Sequence, residues 1–299
     1  MSGAPRALSR ATMLVLFSAC CFGSIPILIT LATTSGARLV DVLAWRYLVA
    51  AALLVVVSGG VAQVTKPGRR AWSVIVLAGG GQAAIAFVSL SALRYIPAAT
   101  LTFLFYTYPA WVAVIAALRG AERISARRAL ALGLSLAGIA LMVGMPGAGG
   151  LHPLGALLAL SSALLYAGYI PMIDTLGRGM PPAVTSTYAS TGAAAVLITV
   201  AFAQGGLAVR FAPVGWMAVL VLAVLCTVLA FLAFLRGLAE IGPVRTAIVS
   251  TIEPFWTALL GSAVLGQVIG SRTLAGGLLI AAAVVLLQLG RRAPEPAAA

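Results

Sequence analysis

Long apolar runs, separated by short polar connections, make up most of this chain. A helix needs about 20 apolar residues to span the hydrocarbon core of a bilayer. Ten runs of about that length occur, at residues 12–32, 40–60, 71–92, 98–119, 127–145, 153–173, 184–203, 213–237, 244–264 and 272–289. The pattern therefore predicts an all-α integral membrane protein with ten transmembrane helices.

The two halves of the chain repeat each other at a fixed offset of 145 residues. Pro109 and Trp111 in the first half correspond to Pro254 and Trp256 in the second. The same register pairs Gly23 with Gly168, Pro26 with Pro171, Leu93 with Leu238 and Arg127 with Arg272. One register over most of both halves predicts an internal duplication. The predicted units span residues 1–146 and 151–292, with five helices each, followed by a disordered tail at 293–299.

Lysine and arginine residues are distributed unevenly between the two sides of the predicted helices. One side has four, Arg38, Arg94, Arg210 and Arg272. The other side has fourteen, at positions 6, 10, 66, 69, 70, 119, 123, 127, 128, 178, 236, 245, 291 and 292. Because cytoplasmic loops are enriched in these residues, we expect an inner-membrane protein with both termini in the cytoplasm. An odd number of helices per unit then makes the repeats inverted, which is common in secondary transporters.

The overall composition agrees with a membrane location and limits the chemistry. The chain has 62% hydrophobic and 8% charged residues and a mean hydropathy of +1.11, whereas a soluble domain has about 25% charged residues. The net charge of +13 lies mainly in the connections between apolar runs, so no nucleic-acid partner is expected. Cys20, Cys21 and Cys226 lack metal-ligand spacing, and His152 is the only histidine. We therefore expect neither a metal nor a cofactor.

One acidic residue, Glu253, lies in the middle of the predicted ninth helix, directly before Pro254. An ionisable group inside a membrane is energetically costly and faces a cavity or a partner. The residues that share its helix face are small or polar, namely Thr246, Ser250, Thr257 and Gly261. Two interpretations remain open. Glu253 either carries a proton or binds a substrate ammonium group, or it is a protonated, hydrogen-bonded structural group beside the helix break.

Other polar residues are expected near the same depth. Arg46, in the predicted second helix, either binds a substrate carboxylate or extends towards the interface and pairs with Asp41. Gln82 and its register counterpart Thr227 are candidates for hydrogen bonding to a substrate, as is Tyr108. The alternative for these three is hydrogen bonding between helices.

Aromatic, proline and small residues complete the set of candidates. The aromatic residues expected to line an apolar pocket are Phe22, Tyr106, Tyr166, Tyr169 and Trp256. Proline lacks an amide hydrogen, so Pro26, Pro109, Pro171 and Pro254 are predicted to interrupt helices and to act in gating. Small residues at helical spacing, Gly133 with Ala137 and Gly277 with Ala281, predict close packing of the fifth and tenth helices at the periphery.

Several short motifs resemble the paired EamA domains of the drug/metabolite transporter superfamily. They are Phe22-Gly23 with Pro26, Trp45-Arg46-Tyr47, the run 92–99 followed by Pro109 and Glu122-Arg123, and Ile241-Gly242-Pro243 followed by Glu253-Pro254. The resemblance covers nearly the whole chain. It implies a ten-helix inner-membrane carrier, most often an exporter of amino acids or other small metabolites, with a central cavity between the first four helices of each repeat. Gln267 stands where the second domain of this family commonly has Glu, and its register counterpart is Glu122.

We therefore expect a secondary transporter that exports small metabolites, above all amino acids, by alternating access. The expected partners are a small-molecule substrate, the lipid bilayer and protons, and the expected state is a monomer or a homodimer. One alternative is an exporter of hydrophobic cations, drugs or lipid precursors. A second alternative, a membrane-embedded enzyme, is disfavoured because the sequence has no HExxH motif and no second intramembrane acid. ATP is not expected to drive transport, since no Walker A sequence is present.

Overall fold

A computed structural model describes residues 4–60, 68–118, 126–143 and 151–289. All regular secondary structure in these ranges is helical. Large apolar side chains cover the outside of the protein, for example Val56, Leu118 and Met217. Hydroxyl groups such as those of Thr102 and Ser162 are buried instead. This distribution suits a protein whose solvent is hydrocarbon.

The first half contains eight helical segments in its described part. They are α1 (Ala4–Gly23), α2 (Ile25–Thr34), α3 (Leu39–Val57), α4 (Arg69–Ser73), α5 (Gly79–Ser91), α6 (Ala98–Phe105), α7 (Tyr108–Leu118) and α8 (Ala126–Val143). A π-helical segment, Val74–Ala78, joins α4 to α5, and a 3₁₀ turn, Ala92–Arg94, follows α5.

The second half contains α9 (Pro153–Gly177), α10 (Pro182–Ala203), α11 (Pro213–Ala223), α12 (Ala230–Ser250), α13 (Glu253–Leu265) and α14 (Ser271–Leu289). A second π-helical segment, Val224–Leu229, joins α11 to α12. Three of these helices begin with proline, which is favoured in the first turn because its missing amide hydrogen would have no helical partner there.

Six helical stretches within the described ranges are long and apolar enough to cross a membrane. They are Arg10–Thr34, Leu39–Val57, Arg69–Arg94, Pro153–Gly177, Pro182–Ala203 and Pro213–Ile241. Shorter apolar helices occur at Ala129–Leu141 and Ser271–Leu286, where the fifth and tenth helices are predicted. The predicted fourth and ninth helices do not form single spans because each is interrupted. The number of ten spans therefore stays a prediction.

The interruptions occur at matching positions of the two halves. The helix breaks at Tyr106-Thr107 between α6 and α7, and at Thr251-Ile252 between α12 and α13, which is the same place in the 145-residue register. A third break, at Ser24, separates α1 from α2. In all three cases a proline is the second residue of the new helix. Helices are thus interrupted next to Pro26, Pro109 and Pro254, as the sequence predicts, whereas the gating role of these prolines stays a prediction.

Two predictions about helix continuity are wrong. Pro171 lies inside the continuous helix α9, which is held along its length by α5, α6 and α7, so the loss of one hydrogen bond does not interrupt it. The predicted boundary between the eighth helix, which ends at 237, and the ninth, which begins at 244, is also wrong, since α12 continues through it to Ser250.

Most of the extensive helix contacts join the two halves of the chain. They include α1 with α12 and α13, α3 with α10, α5 and α7 with α9, α6 with α13, and α8 with α14. Exchanging the two predicted units maps this set of pairs onto itself. The fifth and tenth helices pack against each other as α8 and α14. Their contact uses Gly138, whose added Cβ would lie 2.7 Å from the Gly276 carbonyl oxygen, whereas Gly133 is open.

Some predictions concern residues outside the described ranges. These are the connections 61–67 and 119–125 with Lys66, Glu122 and Arg123, the connection 146–150, both chain ends and the proposed tail at 293–299.

Candidate functional site

The interrupted helices surround a cavity of about 990 Å³. It is lined by residues of both halves of the chain. The predicted site residues on its wall are Phe22, Pro26, Arg46, Gln82, Tyr106, Tyr108, Pro109, Tyr166, Tyr169, Thr227, Ser250 and Glu253. Trp256, Pro171 and Pro254 are not on the wall. The structure therefore brings most of the predicted residues together, although their roles in binding stay predictions.

Glu253 is hydrogen-bonded to Tyr106, which lies at the end of α6 in the other half of the chain. The Tyr106 hydroxyl oxygen is 2.7 Å from Glu253 Oε2 and 2.8 Å from the Ser250 carbonyl oxygen. In a regular helix the Ser250 carbonyl would accept a hydrogen bond from residue 254, but Pro254 has no amide hydrogen to donate. The break in the helix thus presents a backbone acceptor beside the acid.

The break in the first membrane helix packs directly against the Glu253 segment. Thr257 Oγ1 donates to the Gly23 carbonyl oxygen at 2.7 Å, and Trp256 Nε1 donates to Ser24 Oγ at 3.0 Å. A Cβ on Gly23 would lie only 2.8 Å from the Glu253 carbonyl oxygen. Trp256 therefore joins α1 and α13 and does not line the cavity. The sequence predicts the depth of Trp256 in the membrane, but it does not predict that the side chain points to α1.

Arg46 lies on the cavity wall and is only 6% exposed. Its Nε donates to Thr227 Oγ1 at 3.0 Å, and its guanidinium lies 5.2 Å from the centre of the Tyr47 ring. The alternative pairing of Arg46 with Asp41 is wrong. Asp41 pairs instead with Arg38, at 2.6 Å. The two residues lie three positions apart at the start of α3, so their side chains are neighbours.

Thr227 belongs to the π-helical segment between α11 and α12. Its hydroxyl donates to the Leu222 carbonyl oxygen, five residues earlier, at 2.8 Å while accepting from Arg46. π-helical turns are often found at functional sites because they turn a side chain out of the regular helical register. Here the turn places a neutral acceptor against the buried cation.

A continuous set of aromatic rings forms one wall of the cavity. Ring centres are 6.0 Å apart for Tyr106 and Tyr108, 4.9 Å for Tyr108 and Tyr166, and 6.1 Å for Tyr166 and Tyr169. The Tyr169 hydroxyl donates to Gln82 Oε1 at 3.3 Å. Gln82 thus pairs with the phenol hydroxyl of a residue in the other half, and the wall offers both apolar ring faces and hydroxyl groups.

The polar stripe around Glu253 divides directly after this residue. Thr246 and Ser250 line the cavity with Glu253, whereas Thr257 and Gly261 face α1 and α2. Sequence reasoning also missed two hydroxyl residues of α10, Ser186 and Ser190, which line the cavity. The polar run at residues 185–191 was the signal that could have found them.

Gln267 does not line this cavity and instead lies at the start of α6. Its Oε1 accepts a hydrogen bond from the Ala98 amide, the first residue of α6, at 3.1 Å. The side chain therefore satisfies a helix N-terminus that would otherwise lack a partner. His152 is the residue before α9, and the centre of its ring is 4.7 Å from that of Tyr95. Within the described ranges, no three His, Cys, Asp or Glu residues are grouped to hold a metal ion.

A helical membrane protein whose interrupted helices meet at a polar cavity has the construction of a carrier. The sequence profile of the EamA-like transporter family matches the chain twice, at residues 9–144 and 153–289. The chain belongs to this family and is a multi-pass membrane transporter of the drug/metabolite transporter superfamily.

Structural comparison agrees at the level of the fold. One solved crystal structure superposes with a TM-score of 0.66 at 19% sequence identity, covering 94% of this chain and 97% of the other. No curated protein sequence matches the chain significantly.

Proposed function

We propose that this protein is a secondary transporter that exports small zwitterionic metabolites, above all amino acids, across the inner membrane by alternating access. The observation that carries the proposal is the chemistry of the cavity wall. It combines the Glu253 carboxyl group, the guanidinium groups of Arg46 and Arg127, and an aromatic wall in a single space. A free amino acid presents the complementary groups, namely an ammonium, a carboxylate and a side chain.

Each end of such a substrate has a candidate partner. The Arg46 guanidinium can bind a carboxylate through two parallel hydrogen bonds, since among the described residues it donates only through Nε, to Thr227. Glu253 accepts from Tyr106 through one oxygen, so its other oxygen is open to an ammonium group. The aromatic wall suits an apolar side chain. The cavity volume of about 990 Å³ leaves room for a substrate of this size with water.

The proposal is tested by counterflow in liposomes without ATP. Purified protein is reconstituted into vesicles loaded with a mixture of unlabelled amino acids, and uptake of single radiolabelled amino acids is measured. We expect saturable uptake that is lost in Arg46→Ala and in protein-free vesicles. Absence of counterflow for every amino acid, by protein that passes a folding check, would contradict amino-acid transport.

The aromatic wall also supports a second candidate, the export of hydrophobic cations. Such a substrate would use Glu253 and the rings of Tyr106, Tyr108 and Tyr166 but not Arg46. The same vesicles therefore separate the two candidates. Uptake of lipophilic cations that survives Arg46→Ala, without uptake of amino acids, would favour the second one.

A further inference from the structure

The hydroxyl group of Tyr106 stands between two acceptors. Its oxygen lies 2.7 Å from Glu253 Oε2 and 2.8 Å from the Ser250 carbonyl oxygen. A phenol has only one hydrogen to donate, so it can satisfy only one of the two at a time. The protonation state of the carboxyl group decides which one is satisfied.

When Glu253 is protonated, all three groups are paired. The carboxyl O–H donates to the Tyr106 oxygen, and the Tyr106 O–H donates to the Ser250 carbonyl. When Glu253 is ionised, it has no hydrogen to give, and the Tyr106 O–H turns to the carboxylate because a charge-assisted hydrogen bond is the stronger one. The Ser250 carbonyl then has neither Tyr106 nor an amide of residue 254 as a donor.

We infer that the Ser250 carbonyl and the Glu253 carboxylate form a paired acceptor site for a primary ammonium group, which the Tyr106 hydroxyl covers while Glu253 is protonated. An ammonium group carries three hydrogens and no acceptor, so it matches two adjacent acceptors that face the cavity. Both residues line the cavity. The inference rests on the proposed function only in assuming that substrates enter this space.

In the described part of the chain, no cationic side chain is paired with Glu253. Tyr106 faces it from α6, Tyr166 lies close enough to interact with it from α9, and the α1 break meets its backbone. Among the described residues, Arg46 and Arg127 also line the cavity, but neither forms a hydrogen bond or ion pair with Glu253. An ionised acid inside a membrane requires a counter-charge, and a substrate ammonium supplies it.

The exchange balances as one proton for one ammonium. The protonated carboxyl group releases its proton to cavity water, the ammonium ion takes its place, and the Tyr106 hydrogen bond moves from the carbonyl to the carboxylate. Binding of an ammonium-bearing substrate therefore displaces a proton from the same site. The protein would couple export of such substrates to proton entry.

Infrared difference spectroscopy on protein in lipid nanodiscs tests the site without transport. The C=O band of protonated Glu253 is identified as the band that Glu253→Gln removes. n-Butylammonium chloride is then added at a pH at which this band is present. We expect the band to disappear and one proton per protein to be released to a pH-sensitive dye. n-Butanol and potassium chloride, the matched controls, should leave the band unchanged. A band that persists at saturating butylammonium would overturn the inference.

Pro254→Ala tests the backbone carbonyl separately. The new amide hydrogen gives the Ser250 carbonyl a permanent helical partner, so half-maximal loss of the band should require at least about fivefold more butylammonium, the effect of weakening one hydrogen bond of about 1 kcal/mol. Pro171→Ala makes the same change in α9 and should leave the midpoint within about twofold. A wild-type midpoint in Pro254→Ala would show that the carbonyl is not a ligand.

If Pro254→Ala does not fold, the carbonyl can be weakened in place. Replacing Thr251 by its α-hydroxy analogue converts the amide after Ser250 to an ester, whose carbonyl is a poorer acceptor, and the same rise in midpoint is expected. The two proposals fail separately. Amino-acid counterflow without a butylammonium response would refute this inference alone, and a butylammonium response without counterflow would refute the proposed function alone.

Discussion

The Tyr106 hydroxyl gives Glu253 a partner that can accept as well as donate. A carboxylic acid needs an acceptor and a carboxylate needs a donor, and a phenol serves both states at the same 2.7 Å contact. The acid can therefore change its protonation state without losing its hydrogen bond. A purely structural acid would not need a partner of this kind.

Replacement of Glu253 by glutamine and by leucine separates proton coupling from structure. Glutamine keeps the shape and the hydrogen bond to Tyr106 but does not titrate. We expect initial transport rates in liposomes to fall at least about tenfold, the loss of one charge-assisted contact of about 1.5 kcal/mol, and to lose their dependence on pH. In wild-type protein, transport of ammonium-bearing substrates should strengthen as pH rises, because the ionised acid is the binding form.

Glu253→Leu is the matched variant for a structural role. It removes the hydrogen bond as well, so it should lower the melting temperature in detergent, which Glu253→Gln should change little. A glutamine variant with the wild-type rate and pH profile would remove Glu253 from the mechanism.

Gly23 tests the junction between the first helix break and the Glu253 segment. In Gly23→Ala the new Cβ would lie 2.8 Å from the Glu253 carbonyl oxygen and 3.1 Å from Thr257 Oγ1, so the two segments must separate. Overpacking of this kind costs about 1–3 kcal/mol. We expect a lower melting temperature and weaker substrate affinity in the counterflow assay. The control is Gly168→Ala, the register counterpart, whose Cβ has open space and should leave both unchanged.

Depth and helix face explain which cavity residues the sequence could predict. Arg46, Gln82 and Glu253 are polar groups in the middle of apolar runs, and hydrocarbon leaves such groups few places other than an internal cavity. Hydrogen-bond partners were not predictable in the same way. The contacts from Arg46 to Thr227 and from Trp256 to Ser24 join residues 181 and 232 positions apart, and these pairings depend on how the helices cross.

At the scale of helices, proline had an effect only where packing permitted it. Pro26, Pro109 and Pro254 each follow a break, whereas Pro171 is accommodated inside α9. All four lack the same amide hydrogen, so the sequence predicts where a helix is weakened. The neighbouring helices decide whether it opens. The joining of residues 244–250 to α12 was not predictable in the same way, because Glu240, Gly242 and Pro243 indicate a connection at a place where the helix in fact continues.

Close contact between helices depends on glycine at the interface of α10 with the segment before α5. A Cβ on Gly192 would lie 1.8 Å from the Ile75 carbonyl oxygen, and one on Gly79 would lie 2.5 Å from the Gly192 Cα. The two backbones touch, as small residues allow in membrane helices.

Gly192→Ala should therefore destabilise the protein without touching the cavity chemistry. We expect a loss of about 1–3 kcal/mol, as for other overpacked interiors, seen as a lower melting temperature in detergent. Gly80→Ala is the control in the neighbouring helix, since its Cβ would meet nothing within 4 Å. It should leave the melting temperature unchanged or slightly higher, because alanine favours helix over glycine. Equal melting temperatures for both variants would contradict the close packing.

For the molecule as a whole, the helix pairs that join the halves are what a carrier would have to rearrange. A network at one end ties the halves together. Arg38 at the start of α3 donates to Asp41 and to the carbonyl oxygens of Gln204 and Gly206, and Trp45 donates to Ala208. The charge distribution predicts that this end lies at the outer face. The proposed direction of transport depends on how the protein is oriented in the membrane.

The last prediction concerns this orientation, which rests on the count of fourteen basic residues against four. Single cysteines are introduced into a protein in which Cys20, Cys21 and Cys226 are replaced by alanine. Thr65→Cys and Ser125→Cys test the predicted cytoplasmic connections, and Val209→Cys, an exposed site beside the Arg38 network, tests the predicted outer face. None of these changes alters the basic residues. A membrane-impermeant maleimide added to cells whose outer membrane is permeable should label position 209 at once, and positions 65 and 125 only after the inner membrane is opened.

The reverse pattern would place the termini outside and invert the proposed direction of export. Labelling of positions 65 and 209 from the same side would contradict a membrane crossing by an odd number of spans between them, and with it the inverted arrangement of the repeats.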